Sequence, residues 1–283
     1  MSIQMKQFKS SYQDLRALYD NISVKHILEP LQSCDADDES AVIRNRMEEP
    51  DLDFDVMGIE ENGEIYGYIE RSTLAGGPCG KYSRTFHPSE LIAESASLTD
   101  VFSVLHDAPR IFVLKGTKVM GIVTRGDLQK APVRMWVFGL ITLIEMNLLF
   151  IIRARYSNDS WQNHISEARL RKANDLFNER KKRNEAIDLA DCLQICDKAD
   201  LVLKIPDIKQ KIKDGLKKNP HPILDSAENL RDILAHAQDL VIGSTWTDRI
   251  DLIKDIEKLL NVVELAREYT EKTPVEKLNT NIS

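Results

Sequence analysis

Along the first 132 residues, short apolar runs with β-forming character alternate with amphipathic stretches. Beyond them, apolar residues recur at helical spacing almost to the C-terminus. Two of the early runs, Asp55 to Ile59 and Arg110 to Leu114, each pass through a turn, Glu61-Asn62-Gly63 or Lys115-Gly116-Thr117, into a second run. Those second runs, Gly63 to Leu74 and Thr117 to Leu128, align at an offset of 54 residues. Gly67 then coincides with Gly121, Arg71 with Arg125, and Leu74 with Leu128. Ahead of the second copy, Ser97-Leu98-Thr99-Asp100 has capping-box form and leads into the apolar Val101, Phe102, Val104 and Leu105. Each copy is therefore expected to run strand–helix–strand–strand–helix.

The pattern after residue 133 predicts four or five helices in a bundle. Glu167 to Lys198 is rich in helix formers at helical spacing, and Pro206 begins or interrupts the next segment. Asn219-Pro220-His221-Pro222 is a clear break. A helix is expected over 227–242, with Asp225 or Ser226 as N-cap, and a last one from Thr247 to Thr270 after Gly243-Ser244-Thr245. Trp136 to Ile152 is strongly apolar yet carries Glu145 and Asn147 at its middle. A bilayer span wants about 20 apolar residues and tolerates a central carboxylate poorly. The run is read as a buried helix or an oligomer interface, with no membrane involved. The organisation expected is an N-terminal helix over 1–20, the repeat pair over 21–132, the bundle over 133–272 and a loose polar tail over 273–283.

Composition narrows the chemistry. A chain of 283 residues can bury one large or two ordinary cores. Cys34, Cys79, Cys192 and Cys196 lack metal-like spacing, and no cluster of ligands suggests a metal. No signal-peptide pattern opens the chain, so a reducing cytoplasm is the expected setting. The acidic excess lies in residues 1–132, while the remainder balances its charges. Local basic runs occur at Arg180-Lys181-Lys182-Arg183 and at Lys209, Lys211, Lys213, Lys217 and Lys218. They read as solvated helix faces or as a track for phosphates.

The duplicated pattern resembles a tandem pair of CBS (cystathionine β-synthase-type) domains over about residues 20–132. The resemblance implies an α+β pair of β-α-β-β-α units with a cleft for an adenine nucleotide, such as AMP, ATP or a relative. The family's portable motif is an apolar strand followed by Ser/Thr-x-x-Asp at a helix start. The second copy has it as Gly121-Ile122-Val123-Thr124-Arg125-Gly126-Asp127. Asp127 would accept the ribose hydroxyls, while Thr124 and the helix N-terminus face phosphate and Arg125 adds charge. Capping of the helix alone is the competing reading of Thr124 and Asp127. The first copy has Glu70 in place of Thr124 and Thr73 in place of Asp127, so one competent site is expected.

In the all-α half, Arg231-Asp232-Ile233-Leu234-Ala235-His236 resembles the Arg-x4-6-His motif of HEPN-domain ribonucleases. The resemblance implies a metal-independent endoribonuclease with an RNA substrate, needing no cofactor. Arg231 would stabilise the scissile phosphate and His236 would act as acid or base for attack by the 2′-OH. Asp232, one turn before His236, would tune it. Glu145 and Asn147 either line the same cleft or form buried polar contacts. On a helical wheel Arg231 and His236 lie 140° apart, so a homodimer pairing two such helices is expected to complete the site. Without that pairing they are surface residues. The other reading is a non-catalytic adenine-nucleotide sensor whose helices dimerise or dock a partner.

Overall fold

The computed structural model describes residues 3–50 and 53–273. The tail expected to be loose lies, from residue 274, outside the described residues. The chain divides into two units. Helix α1 (Ile3–Asp20), up to Tyr19, groups with the helices after Met135, and Asp20–Arg134 forms the other unit.

The Asp20–Arg134 unit contains the two copies. The first runs β2 (Ser33–Asp35), α2 (Ser40–Met47), β3 (Val56–Glu61) and β4 (Glu64–Glu70), in a sheet of order β2-β3-β4. The second runs β5 (Leu91–Ala93), α3 (Leu98–Asp107), β6 (Arg110–Lys115) and β7 (Lys118–Thr124). Its sheet is β1-β7-β6-β5, with β1 (Glu29–Pro30) borrowed from ahead of the first copy. In each copy the strand before the helix pairs parallel with the next, and the last two form an antiparallel hairpin. The hairpin turns fall where the sequence places them, with Gly63 and Gly116 in the left-handed region. The expected closing helix of each unit is only a short 3-10 turn, Arg71–Thr73 or Arg125–Gln129.

The coinciding glycines have a packing cause. A Cβ on Gly121 would stand 2.8 Å from the Glu29 carbonyl oxygen, and one on Gly67 would stand 2.6 Å from that of Arg84. Each glycine therefore admits a crossing backbone, β1 against β7 and Arg84 against β4 at Tyr68.

The helical unit contains α4 (Ala131–Arg155, entering it at Met135), α5 (Glu167–Lys182), α6 (Ile195–Val202), α7 (Pro206–Leu216), α8 (His221–Ala235) and α9 (Trp246–Lys272). Helix α4 is long and apolar enough to cross a membrane, but 72% of its most apolar stretch is buried, as in a core helix. Two sequence expectations are corrected. The 167–198 run breaks after Lys182, because Asn184 turns left-handed and Glu185 draws Arg180 and Arg183 onto itself. The helix placed at 227–242 instead spans 221–235. Pro222 sits in its first turn, where a missing N–H costs nothing. Neither Asp225 nor Ser226 caps it. It stops at His236, after which Ala237 is left-handed.

Candidate functional site

In the Asp20–Arg134 unit a cleft of about 380 Å3 opens beside the end of β7. Thr124 and Asp127 are brought together there by a capping box. The Thr124 N–H and hydroxyl donate to Asp127 Oδ2 at 2.7 and 2.9 Å. Asp127 is buried, and its other oxygen is met by Lys130 Nζ at 2.8 Å. Lys130 also donates to the Ile27 carbonyl at 2.6 Å and pairs with Glu29. Burial alone would lower the Lys130 ammonium, but its bonds to Asp127 and Glu29 outweigh that and hold it above the ordinary lysine value.

Of the five residues the sequence nominates here, Ile122, Thr124 and Asp127 line the cleft. Gly121 serves the approach of β1. Arg125 adds no charge to the cleft, because its guanidinium donates to the carbonyls of Leu105 and His106 at 2.8 Å. Those carbonyls end α3, and a cation there offsets their partial negative charge. The sequence reading missed Lys130, three residues after Asp127, and the wall built by Asp53, Phe54 and Asp55. Their signal is the acidic run Asp51-Leu52-Asp53-Phe54-Asp55, two positions of which lie outside the described residues. Arg71 draws Asp53 and Asp55 together at 2.6 and 2.8 Å. The equivalent place in the first copy is filled by its own chemistry: Glu70 binds Arg84 and Arg110, and Thr73 donates to the Glu70 carbonyl at 2.7 Å.

Of the residues nominated in the helical unit, Arg231, Glu145 and Asp232 come together, while the side chains of His236 and Asn147 make no hydrogen bond or ion pair with theirs among the described residues. Arg231 reaches Glu145 at 3.4 Å, and the buried Lys198 meets the same carboxylate oxygen at 3.4 Å. Asp232 lies 3.8 Å from the Arg231 guanidinium and is exposed. His236, also exposed, is the residue that ends α8, its N–H donating to the Asp232 carbonyl at 3.0 Å. Asn147 is fully buried and donates to the Leu143 carbonyl of its own helix at 2.7 Å. The apolar stripe of α8, including Ala227, Leu230, Ile233 and Leu234, is already buried within the chain. The cysteines do not pair. Burial, then the carboxylates of Glu228 and Asp225, push the Cys196 thiol far above its ordinary range.

No family model matches the chain, and no curated protein matches it. Solved structures are similar to its N-terminal part. An uncharacterized conserved protein from Pyrococcus horikoshii is 16% identical with a TM-score of 0.34, over 38% of this chain and 89% of that one. CBSX2 in complex with AMP is 16% identical with a TM-score of 0.32, over 38% and 92%. The CBS domain of the bacterial CNNM/CorC family Mg2+ transporter is 11% identical with a TM-score of 0.33, over 44% and 84%. By its own elements the fold class is α+β for Asp20–Arg134, a pair of β-α-β-β repeats, and all-α for the other unit.

Proposed function

We propose that the chain is a regulatory protein that senses an adenine nucleoside or nucleotide in the cleft at Thr124 and Asp127. The observation that carries this reading is a buried carboxylate, oriented by Thr124, in a cleft with apolar walls from Leu31, Phe54, Val56 and Ile122. A carboxylate so held accepts the paired hydroxyls of a ribose, and the apolar wall receives a base. Glu29, Asp53, Asp55 and Asp127 on the lining outnumber Arg110 even when Lys130 and Arg71, which pair with them, are counted. Adenosine and AMP are therefore expected to bind more tightly than ATP, whose extra phosphates meet repulsion. Calorimetry with the three ligands tests the order. Asp127→Ala should abolish the heat, and unaltered binding by that variant would remove the reading.

RNA cleavage by Arg231, Asp232 and His236, with Glu145 and Asn147 in support, is the second reading and needs a different assembly. Within one chain Arg231 is engaged by Glu145, His236 lies past the helix end and Asn147 faces the core. A homodimer would have to unite these groups without the buried stripe of α8. We expect no cleavage of RNA by the pure protein. Cleavage that His236→Ala slows by several orders of magnitude would reverse that expectation.

A further inference from the structure

The helical unit holds a second cavity, about 880 Å3 in volume, where α7 turns into α8. Five lysines line it, Lys204, Lys209, Lys213, Lys217 and Lys218, against one carboxylate, Asp200. That carboxylate is already engaged, by Arg169 at 2.7 Å and by His221 at 3.6 Å. Lys218 pairs with Asp255, and Lys204 donates to the His164 carbonyl. Lys209, Lys213 and Lys217 have no anionic partner among the described residues.

These three lysines recur every fourth residue, so they stack on one face of α7 and its end. Like charges one turn apart repel, and an isolated helix would gain by separating them. A fourth lysine of the helix, Lys211, points elsewhere, its ammonium 3.9 Å from the centre of the Tyr269 ring. Lys217 takes a left-handed conformation that ends α7 and turns the chain, so that Lys218, Asn219 and His221 complete the rim. The start of α8 brings its positive end to the same place.

The chemistry of the missing partner follows. Several ammonium groups without a guanidinium fork suit clustered phosphate oxygens rather than one planar carboxylate. The row from Lys209 to Lys217 spans about 12 Å, and the lining holds no Phe, Tyr or Trp for a base to stack on. Proteins that hold single strands use stacking rings and sites of about 4–16 nucleotides. We infer that this basin binds a compact polyphosphate, the chain of linked phosphates of a small molecule. The inference does not rest on the sensor reading, since none of these residues lines the Asp127 cleft.

Inorganic tripolyphosphate is the probe, titrated into the full chain by calorimetry. Binding is expected, weakening as salt rises, and tighter than that of orthophosphate. The combined Lys209→Gln, Lys213→Gln and Lys217→Gln variant should weaken it about tenfold or more, while Asp127→Ala leaves it unchanged. All three lysines are exposed, so the variant should fold, as circular dichroism will report; Lys213→Glu alone serves if it does not. No binding at low salt, equal binding of orthophosphate, or binding that survives these substitutions overturns the proposal. So does capture of a single-stranded oligoribonucleotide by a protein that ignores tripolyphosphate, which would make the basin a strand track.

Discussion

Asp127 does two jobs with one carboxylate: it caps a turn and faces a cleft. The Ser/Thr-x-x-Asp spacing shows the first on inspection, since a cap needs only local geometry. The second needed the fold, because the opposite wall comes from Asp53, Phe54 and Asp55, more than seventy residues away. Arg125 illustrates the reverse failure. Its place in the motif suggests a phosphate partner, yet the nearest unsatisfied acceptors are the last carbonyls of α3, and those take it. Gly121 gives the residue-scale prediction. In Gly121→Ala the new methyl meets a backbone oxygen, which cannot swing aside as a flexible side chain would. A loss of about 1–3 kcal/mol is expected in urea unfolding, along with weaker ligand binding as β1 moves off β7. An unchanged midpoint would show that the strand gives way freely.

Elements were legible where periodicity alone decides them. Strands β3, β4, β6 and β7 stand where the duplicated pattern puts them, and α9 differs from its expected span by a residue or two. Helix ends were less legible. The prolines before α8 look like a break but start the helix, because proline at a first turn lacks only an N–H the helix does not use. Nor does periodicity show that α1 belongs to the helical unit, which rests on contacts nearly 250 residues apart. Tyr12 donates to Glu264, which Arg16 reaches at 3.2 Å, and Tyr19 donates to Glu257 at 3.3 Å. Burial first, then the bond to Glu264 and its charge, push the Tyr12 phenol from 10.0 up to about 12. Burial does the same at Tyr156 of the turn after α4, whose hydroxyl donates to the Leu201 carbonyl. A phenol harder to ionise in the folded chain than in the unfolded one gives stability that is complete below pH 10 and lost as pH climbs toward about 12. The urea midpoint should fall across that window. The combined Tyr12→Phe and Tyr156→Phe variant should be less stable at neutral pH but flatter across it. An identical alkaline slope in variant and parent would refute this account.

At the scale of the whole molecule, the sensor reading requires that a ligand in one unit be felt in the other, and the distribution of tryptophan makes this measurable. Trp136, Trp161 and Trp246 all lie after residue 134, in the helical unit, and the Asp20–Arg134 unit has none. Tryptophan emission therefore reports on the helices, whereas ligand bound at Asp127 acts directly on the other unit. Binding alone should raise the ligand-binding unit's stability by about 2.7 kcal/mol at a hundredfold excess over the dissociation constant. Regulation demands more: the tryptophan-detected unfolding midpoint should also move with AMP, by a coupling of about 1–3 kcal/mol, and Asp127→Ala should abolish the movement. If far-UV circular dichroism shows AMP stabilising the α+β unit while the tryptophan transition stays in place, the cleft binds without signalling. The two units would then be independent domains on one chain, because a ligand can shift only those equilibria whose states it distinguishes.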